Sequence, residues 1–114
     1  MDSYPIIRLL LCAALLGWGS CAKADSKVVQ PPPERAAWLH HLVRQDCGAC
    51  HGLTLKGGLG SPLTPVALAG KPNDSLVATI LNGRPGTPMP PWRPFLTEEE
   101  AQWLVHWLKE GATP

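Results

Sequence analysis

Cysteine is scarce in this 114-residue chain, and half of it sits at one end. Of four cysteines, Cys12 and Cys21 fall within residues 1–24, a segment that reads as exported and removed. Only Cys47 and Cys50 then remain, and no second pair follows downstream to complete a zinc site. Excess charge is missing too: residues 25–114 hold eight Lys/Arg and eight Asp/Glu. That balance argues against nucleic acid and against a strongly basic docking face, so partner recognition should depend little on long-range steering. No apolar run is long enough to span a bilayer; the longest, Leu9–Leu16, is far shorter than a spanning helix. Alternating strand patterns are absent, which leaves an all-α class. No acid–base constellation capable of substrate chemistry is visible either, so an enzyme is not expected.

The first 24 residues carry Arg8, the apolar stretch and Ala22-Lys23-Ala24, an A-x-A cleavage pattern. Ser20-Cys21 offers the rival reading of a lipoprotein site with Cys21 lipidated, although Trp18 stands where such sites prefer a small aliphatic residue. Three parts are expected: a signal peptide over 1–24, a Pro-rich solvated tether over 25–33, and one domain over 34–114. A mature chain of this size has a thin core of its own.

What is present is Cys47-Gly48-Ala49-Cys50-His51, the C-x-x-C-H signature for covalent haem c. The thiols add across the porphyrin vinyl groups, and His51 follows where it can supply the proximal nitrogen. A thioredoxin-like redox pair would need a βαβ context, and half a zinc site would need two more ligands. A covalent porphyrin also supplies the apolar bulk that a domain this small otherwise lacks.

Helix one is predicted from Pro33 to about Asp46, with Ala36, Leu39, Leu42 and Val43 on one face. Residues 52–71 read as irregular, with glycines suited to close approach to a flat ligand and one helical turn over Thr64–Ala69. A second helix is predicted over Asn73–Asn82, capped by Asn73 and ended by Gly83. The last begins at the capping box Thr97-Glu98-Glu99-Glu100 and closes at Gly111. About three helices packed around one haem result.

For the sixth iron ligand the mature chain offers one methionine, Met89, in a proline-rich loop outside any apolar stripe. The alternative is a gap-filling core methionine. His40, His41 and His106 are competitors that read as surface or packing histidines. A backbone carbonyl should accept the other ring proton of His51; Pro62 is the candidate, unless it only stiffens its loop. Trp92 and Arg84 are candidates for the haem propionates, with packing and solvation as the alternatives. Trp38, Trp103 and Trp107 read as core packing.

A helix ending in the Cys47–His51 motif, a Gly/Pro loop, a short helix, a methionine between prolines and an aromatic-rich final helix resemble class I cytochromes c over residues 34–111. The segments 46–65, around Asp46-Cys47-Gly48-Ala49-Cys50-His51-Gly52, and 81–92, around Gly86-Thr87-Pro88-Met89-Pro90-Pro91-Trp92, resemble the cytochrome c-55X group. The resemblance implies a periplasmic protein associated with the haem d1 nitrite reductase of denitrifying bacteria. It implies Cys47 and Cys50 as attachment points and His51 and Met89 as axial ligands. Three functions remain: a one-electron carrier feeding that reductase, an accessory factor in maturing the reductase or its haem d1, and a gas sensor or small peroxidase. The last needs an open iron site, which Met89 opposes. A monomer is the default for a small carrier.

Overall fold

The computed structural model describes residues 27–112. The signal-peptide, cleavage and Cys21 readings lie outside those residues. In chain order come α1 (Pro33–Leu42), a π-helical turn (Val43–Cys47), α2 (Gly48–His51), α3 (Pro65–Leu68), α4 (Asn73–Asn82) and α5 (Glu98–Lys109). Among the described residues there is no strand, and no helix is long and apolar enough to cross a membrane.

Pro33 opens α1 at its first position, where the missing N–H costs nothing. The predicted end near Asp46 gives way to a longer helix. Val43, Cys47 and Gly48 keep right-handed helical dihedrals, so the chain stays helical to His51. Gly52, at φ +89°, stops it. The π turn widens the helix up to and including the first of the two cysteines, a distortion found mostly at functional sites. Ala36, Leu39, Leu42 and Val43 are buried, as their spacing predicts.

The single turn α3 is where the sequence places it, and Thr64 Oγ1 accepts from the Ala67 N–H. The α4 bounds match, but its cap does not. Asn73 is the first helical residue behind Pro72 and makes no capping bond. Its Oδ1 instead accepts from Lys109 Nζ at 2.6 Å, and that ammonium also donates to the Lys71 carbonyl at 2.6 Å. A long-range partner has displaced the local one. In α5 the capping box is complete: Thr97 Oγ1 accepts from Glu100 N, and Glu100 Oε2 accepts from Thr97 N.

Helix α5 packs against α4 and α3. It presents Ala101, Leu104, Val105 and Leu108 to one continuous core that also takes Leu39, Leu42, Val77 and Leu81. It meets α1 through side chains. Arg35 clasps Glu100 with Nε–Oε1 at 2.6 Å and Nη2–Oε2 at 3.0 Å. His40 stacks on Trp107 at 4.3 Å and on Trp103 at 5.3 Å between ring centroids. The rings of Trp103 and Trp107 lie 6.0 Å apart and 4° from parallel.

Two readings need correction here. The tether before α1 is extended but not free: Pro31 is buried, Val28 packs on the core, and Trp103 Nε1 donates to Gln30 Oε1 at 3.0 Å. Prolines make extended backbone, and extended backbone can still lie along a helix. Trp38 is not core. It is 38% exposed, with the Arg35 guanidinium 4.0 Å above its ring.

Candidate functional site

A cavity of about 670 Å³ opens between the two loops that follow the α1–α2 segment and α4. Its volume falls within the range of small-molecule and cofactor sites, about 300–1,000 Å³. Leu42, Leu68, Leu104 and Val105 supply apolar wall. Cys47, Cys50 and His51 line it from the end of the α1–α2 segment and Met89 from the loop after α4. Pro62, Arg84 and Trp92, the other residues proposed from the sequence to contact the haem or its ligands, also line it.

Helix geometry arms the first side. Cys47 and Cys50 stand three positions apart, one turn of helix, and therefore project the same way. Both are free thiols and half-buried. Burial, with the Asp46 carboxylate adding to it, pushes the Cys47 thiol up to about 11. A redox dithiol needs an attacking thiolate, and its pKa is lowered for that purpose. Cys47 is shifted the opposite way, and among the described residues no strand supplies the βαβ context that a thioredoxin-like pair needs. Among the described residues no three His, Cys, Asp or Glu side chains are grouped to hold a metal ion, so the zinc alternative finds no further ligands.

The loop after α2 is stitched back onto the helix end. Gly60 N donates to the Cys50 carbonyl at 2.7 Å and Gly57 N to the His51 carbonyl at 2.8 Å. These carbonyls have no partner within the helix, so the loop satisfies them. The stitching lays Gly60 flat on the His51 ring: a Cβ at Gly60 would stand 2.7 Å from Cε1 and 2.8 Å from Nδ1. It also delivers the Ser61 carbonyl to His51 Nδ1 at 2.6 Å. A carbonyl only accepts, so Nδ1 carries the proton and Nε2 is left with a free lone pair. The expectation that Pro62 provides this carbonyl is thus corrected by one residue. Proline holds its predecessor extended, and that aims the Ser61 oxygen at the ring. Pro62 keeps a place in the cavity wall and packs beside Gly57.

The second loop is built the same way. Trp92 N donates to the Ile80 carbonyl at 3.0 Å and Arg93 N to the Leu81 carbonyl at 3.1 Å, closing the end of α4. Inside it, Arg84 N donates to the Met89 carbonyl at 3.1 Å. Thr87 knits the turn: its hydroxyl donates to the Arg84 carbonyl at 2.7 Å and accepts from Met89 N at 3.3 Å. Thr87 escaped the sequence reading; a hydroxyl two residues from a candidate ligand was the available signal. Gly83, at φ +66°, is pressed against the loop, where a Cβ would meet the Met89 carbonyl at 2.7 Å. Met89 is half-buried, Arg84 exposed and Trp92 half-buried. The competing histidines are elsewhere: His40 stacks against two tryptophans, His41 is exposed, and His106 pairs with Glu110 at 3.1 Å.

The residues fit a covalently held haem c. Two thiols on one helix turn, an imidazole with a free Nε2, and a thioether from the second loop bound an apolar cavity against which a glycine backbone lies flush.

Residues 34–108 match the protein family described as cytochrome C oxidase, cbb3-type, subunit III. The chain is 63% identical over 81 residues to cytochrome c55X of Pseudomonas aeruginosa, covering 71% of this chain and 68% of that one. Against cytochrome c55X of Paracoccus denitrificans the identity is 53% over 107 residues, covering 93% and 97%. A solved c-type cytochrome NirC superimposes with a TM-score of 0.72 at 60% identity, covering 74% of this chain and all of that one. The dihydro-heme d1 dehydrogenase NirN, solved in complex with DHE, shares a TM-score of 0.58 at 36% identity, but the match spans 16% of that protein.

Proposed function

Because the chain belongs to the cytochrome c55X group of class I c-type cytochromes and carries one covalent haem c, we propose that it is a periplasmic one-electron carrier, ligated by His51 and Met89, that delivers electrons to haem d1 nitrite reductase. The observation that carries this reading is that His51 and Met89, from two separate segments of the chain, both line one cavity. When bound, the haem supplies a reversible ferric–ferrous couple, and a thioether ligand raises its potential relative to two histidines.

The chain's own residues do the rest. Cys47 and Cys50 tether the porphyrin edge. Ser61 fixes the His51 tautomer so that Nε2 faces inward. Thr87 and the flanking prolines hold Met89 in a loop that loses little entropy on ligation. Arg84 and Trp92 take the propionates. Replacing Met89 with Ala should move both the reduction potential and the spectrum; an unmoved spectrum removes Met89 as ligand.

The decisive experiment is stopped-flow mixing of the reduced holoprotein with haem d1 nitrite reductase and nitrite. Reoxidation that accelerates with enzyme concentration supports the donor role, and reoxidation no faster than in buffer removes it.

A second reading draws on the likeness to dihydro-heme d1 dehydrogenase: an accessory role in maturing the reductase or making haem d1. A deletion strain separates the two. Fully loaded reductase with slow nitrite respiration supports the carrier; reductase lacking haem d1 supports maturation.

A further inference from the structure

One aromatic contact leads from the cavity wall to the surface. The ring of Trp92, which lines the cavity, lies 6.0 Å from the ring of Phe95 at an angle of 58°. Phe95 is the only phenylalanine in the chain, and 59% of it is exposed. Exposed Trp38 belongs to the same corner through a shared guanidinium. Arg35 sits 4.0 Å above the Trp38 ring, and its Nη2 donates to the Phe95 carbonyl at 2.8 Å. Two large rings are therefore held at the surface around one fixed side chain.

The charge around this corner is one-sided although residues 25–114 are balanced. Arg35 is neutralised by Glu100. That pair brings the first turns of α1 and α5 together, and those turns carry Glu34, Glu98 and Glu99. All three are exposed, and none forms an ion pair with another described residue. Arg93 lines a small pocket together with Glu98, and it is engaged with Asn82 Oδ1 at 3.1 Å. Aromatic rings with a charged rim are the composition of a protein–protein contact centre, and a rim of one sign orients the partner.

Resting on the carrier reading above, we propose that electrons pass through the Trp92–Phe95–Trp38 corner. Its partner is a redox protein whose docking face is apolar at the centre and basic at the rim. In the transfer one electron leaves the reduced holoprotein and the acceptor gains it; no bond forms and no proton moves. The rival exit is on the His51 side of the cavity, where aliphatic Leu59 is 78% exposed.

Small probes test this without any biological partner, so its outcome is separable from that of the nitrite reductase experiment. Tris(phenanthroline)cobalt(III), aromatic and cationic, mimics the proposed partner face; ferricyanide is the anionic control. Reduced wild type, Phe95→Ala, the double variant Glu98→Gln/Glu99→Gln and Leu59→Ala are oxidised by each. The expected result is a slowing of roughly threefold or more with the cobalt complex for the first two variants, with ferricyanide rates not reduced and the salt dependence weakened in the Gln variant. An unchanged spectrum and potential establish that the haem site is intact. As an independent reading, redox-inert hexaamminechromium(III) should broaden the NMR resonances of Trp38, Phe95 and Glu98. Slowing by Leu59→Ala alone, or broadening centred on Leu59, overturns the proposal.

Discussion

The carbonyl of Ser61 and the imidazole of His51 are joined by a 2.6 Å hydrogen bond that exists because Gly60, between Ser61 and the helix it is stitched to, has no side chain. The same glycine that lets the backbone lie on the ring turns the next carbonyl toward Nδ1.

Gly60→Ala should therefore damage the proximal side. A methyl 2.7 Å from Cε1 forces the ring or the loop aside, at a cost of about 1–3 kcal/mol, the usual range for overpacking. Denaturant unfolding of the holoprotein should show that loss, together with an altered Soret band. An unchanged denaturation midpoint and spectrum would mean that the loop yields freely.

Thr87→Val should loosen Met89 without unfolding the domain. It removes the acceptor for Met89 N and the donor to Arg84 O, while the rest of the loop keeps its bonds to α4. A net hydrogen bond is worth about 1 kcal/mol. Imidazole should bind the ferric protein several-fold more tightly in the Val variant, and Thr87→Ser should restore the wild-type affinity.

Glu100 predicts an acid-side loss of stability. Its hydrogen bonds from Arg35, with the Thr97 N–H adding to them, hold its carboxyl below the ordinary range against the opposing effect of burial. A carboxyl depressed in the folded state binds fewer protons than in the unfolded one. Its contribution is thus complete above the unfolded value, about 4.3, and is lost as pH falls through the lower folded value. Glu100→Gln should flatten the slope of unfolding free energy against pH below about 5, and cost about 1 kcal/mol at neutral pH. Urea unfolding at several pH values checks both.

Trp103→Phe should release the segment before α1 while sparing most of the core. It deletes the N–H that donates to Gln30 Oε1 and retains a ring beside Trp107. Limited proteolysis should then cut near residues 28–31 faster than in the wild type.

How far the sequence speaks depends on the range of the interaction. Cys47, Cys50 and His51 were legible because attachment chemistry fixes their spacing, and all of them face the cavity, as do Met89, Arg84 and Trp92. The capping box of α5 was legible because both partners lie within four residues. Asn73 was misread because Lys109, 36 positions away, claims its side chain. Gln30 and Trp103 are 73 positions apart, so nothing local announces their bond. Pro62 was named for the carbonyl that its predecessor Ser61 supplies, because a proline acts on the backbone direction of the residue before it. Trp38 was assigned to the core on hydrophobicity alone, while its cationic neighbour Arg35 keeps it at the surface.

The π-helical turn over Val43–Cys47 works as a phase shifter. Upstream of it Leu39 faces the protein core; at its end and beyond, Cys47, Cys50 and His51 line the cavity. Each residue of an α-helix advances the azimuth by about 100°. Were these five residues to regularise into ordinary α-helix with none removed, circular dichroism would register no loss. The attachment cysteines would then point about a quarter-turn away from their target, giving a well-formed helix that never acquires its chromophore.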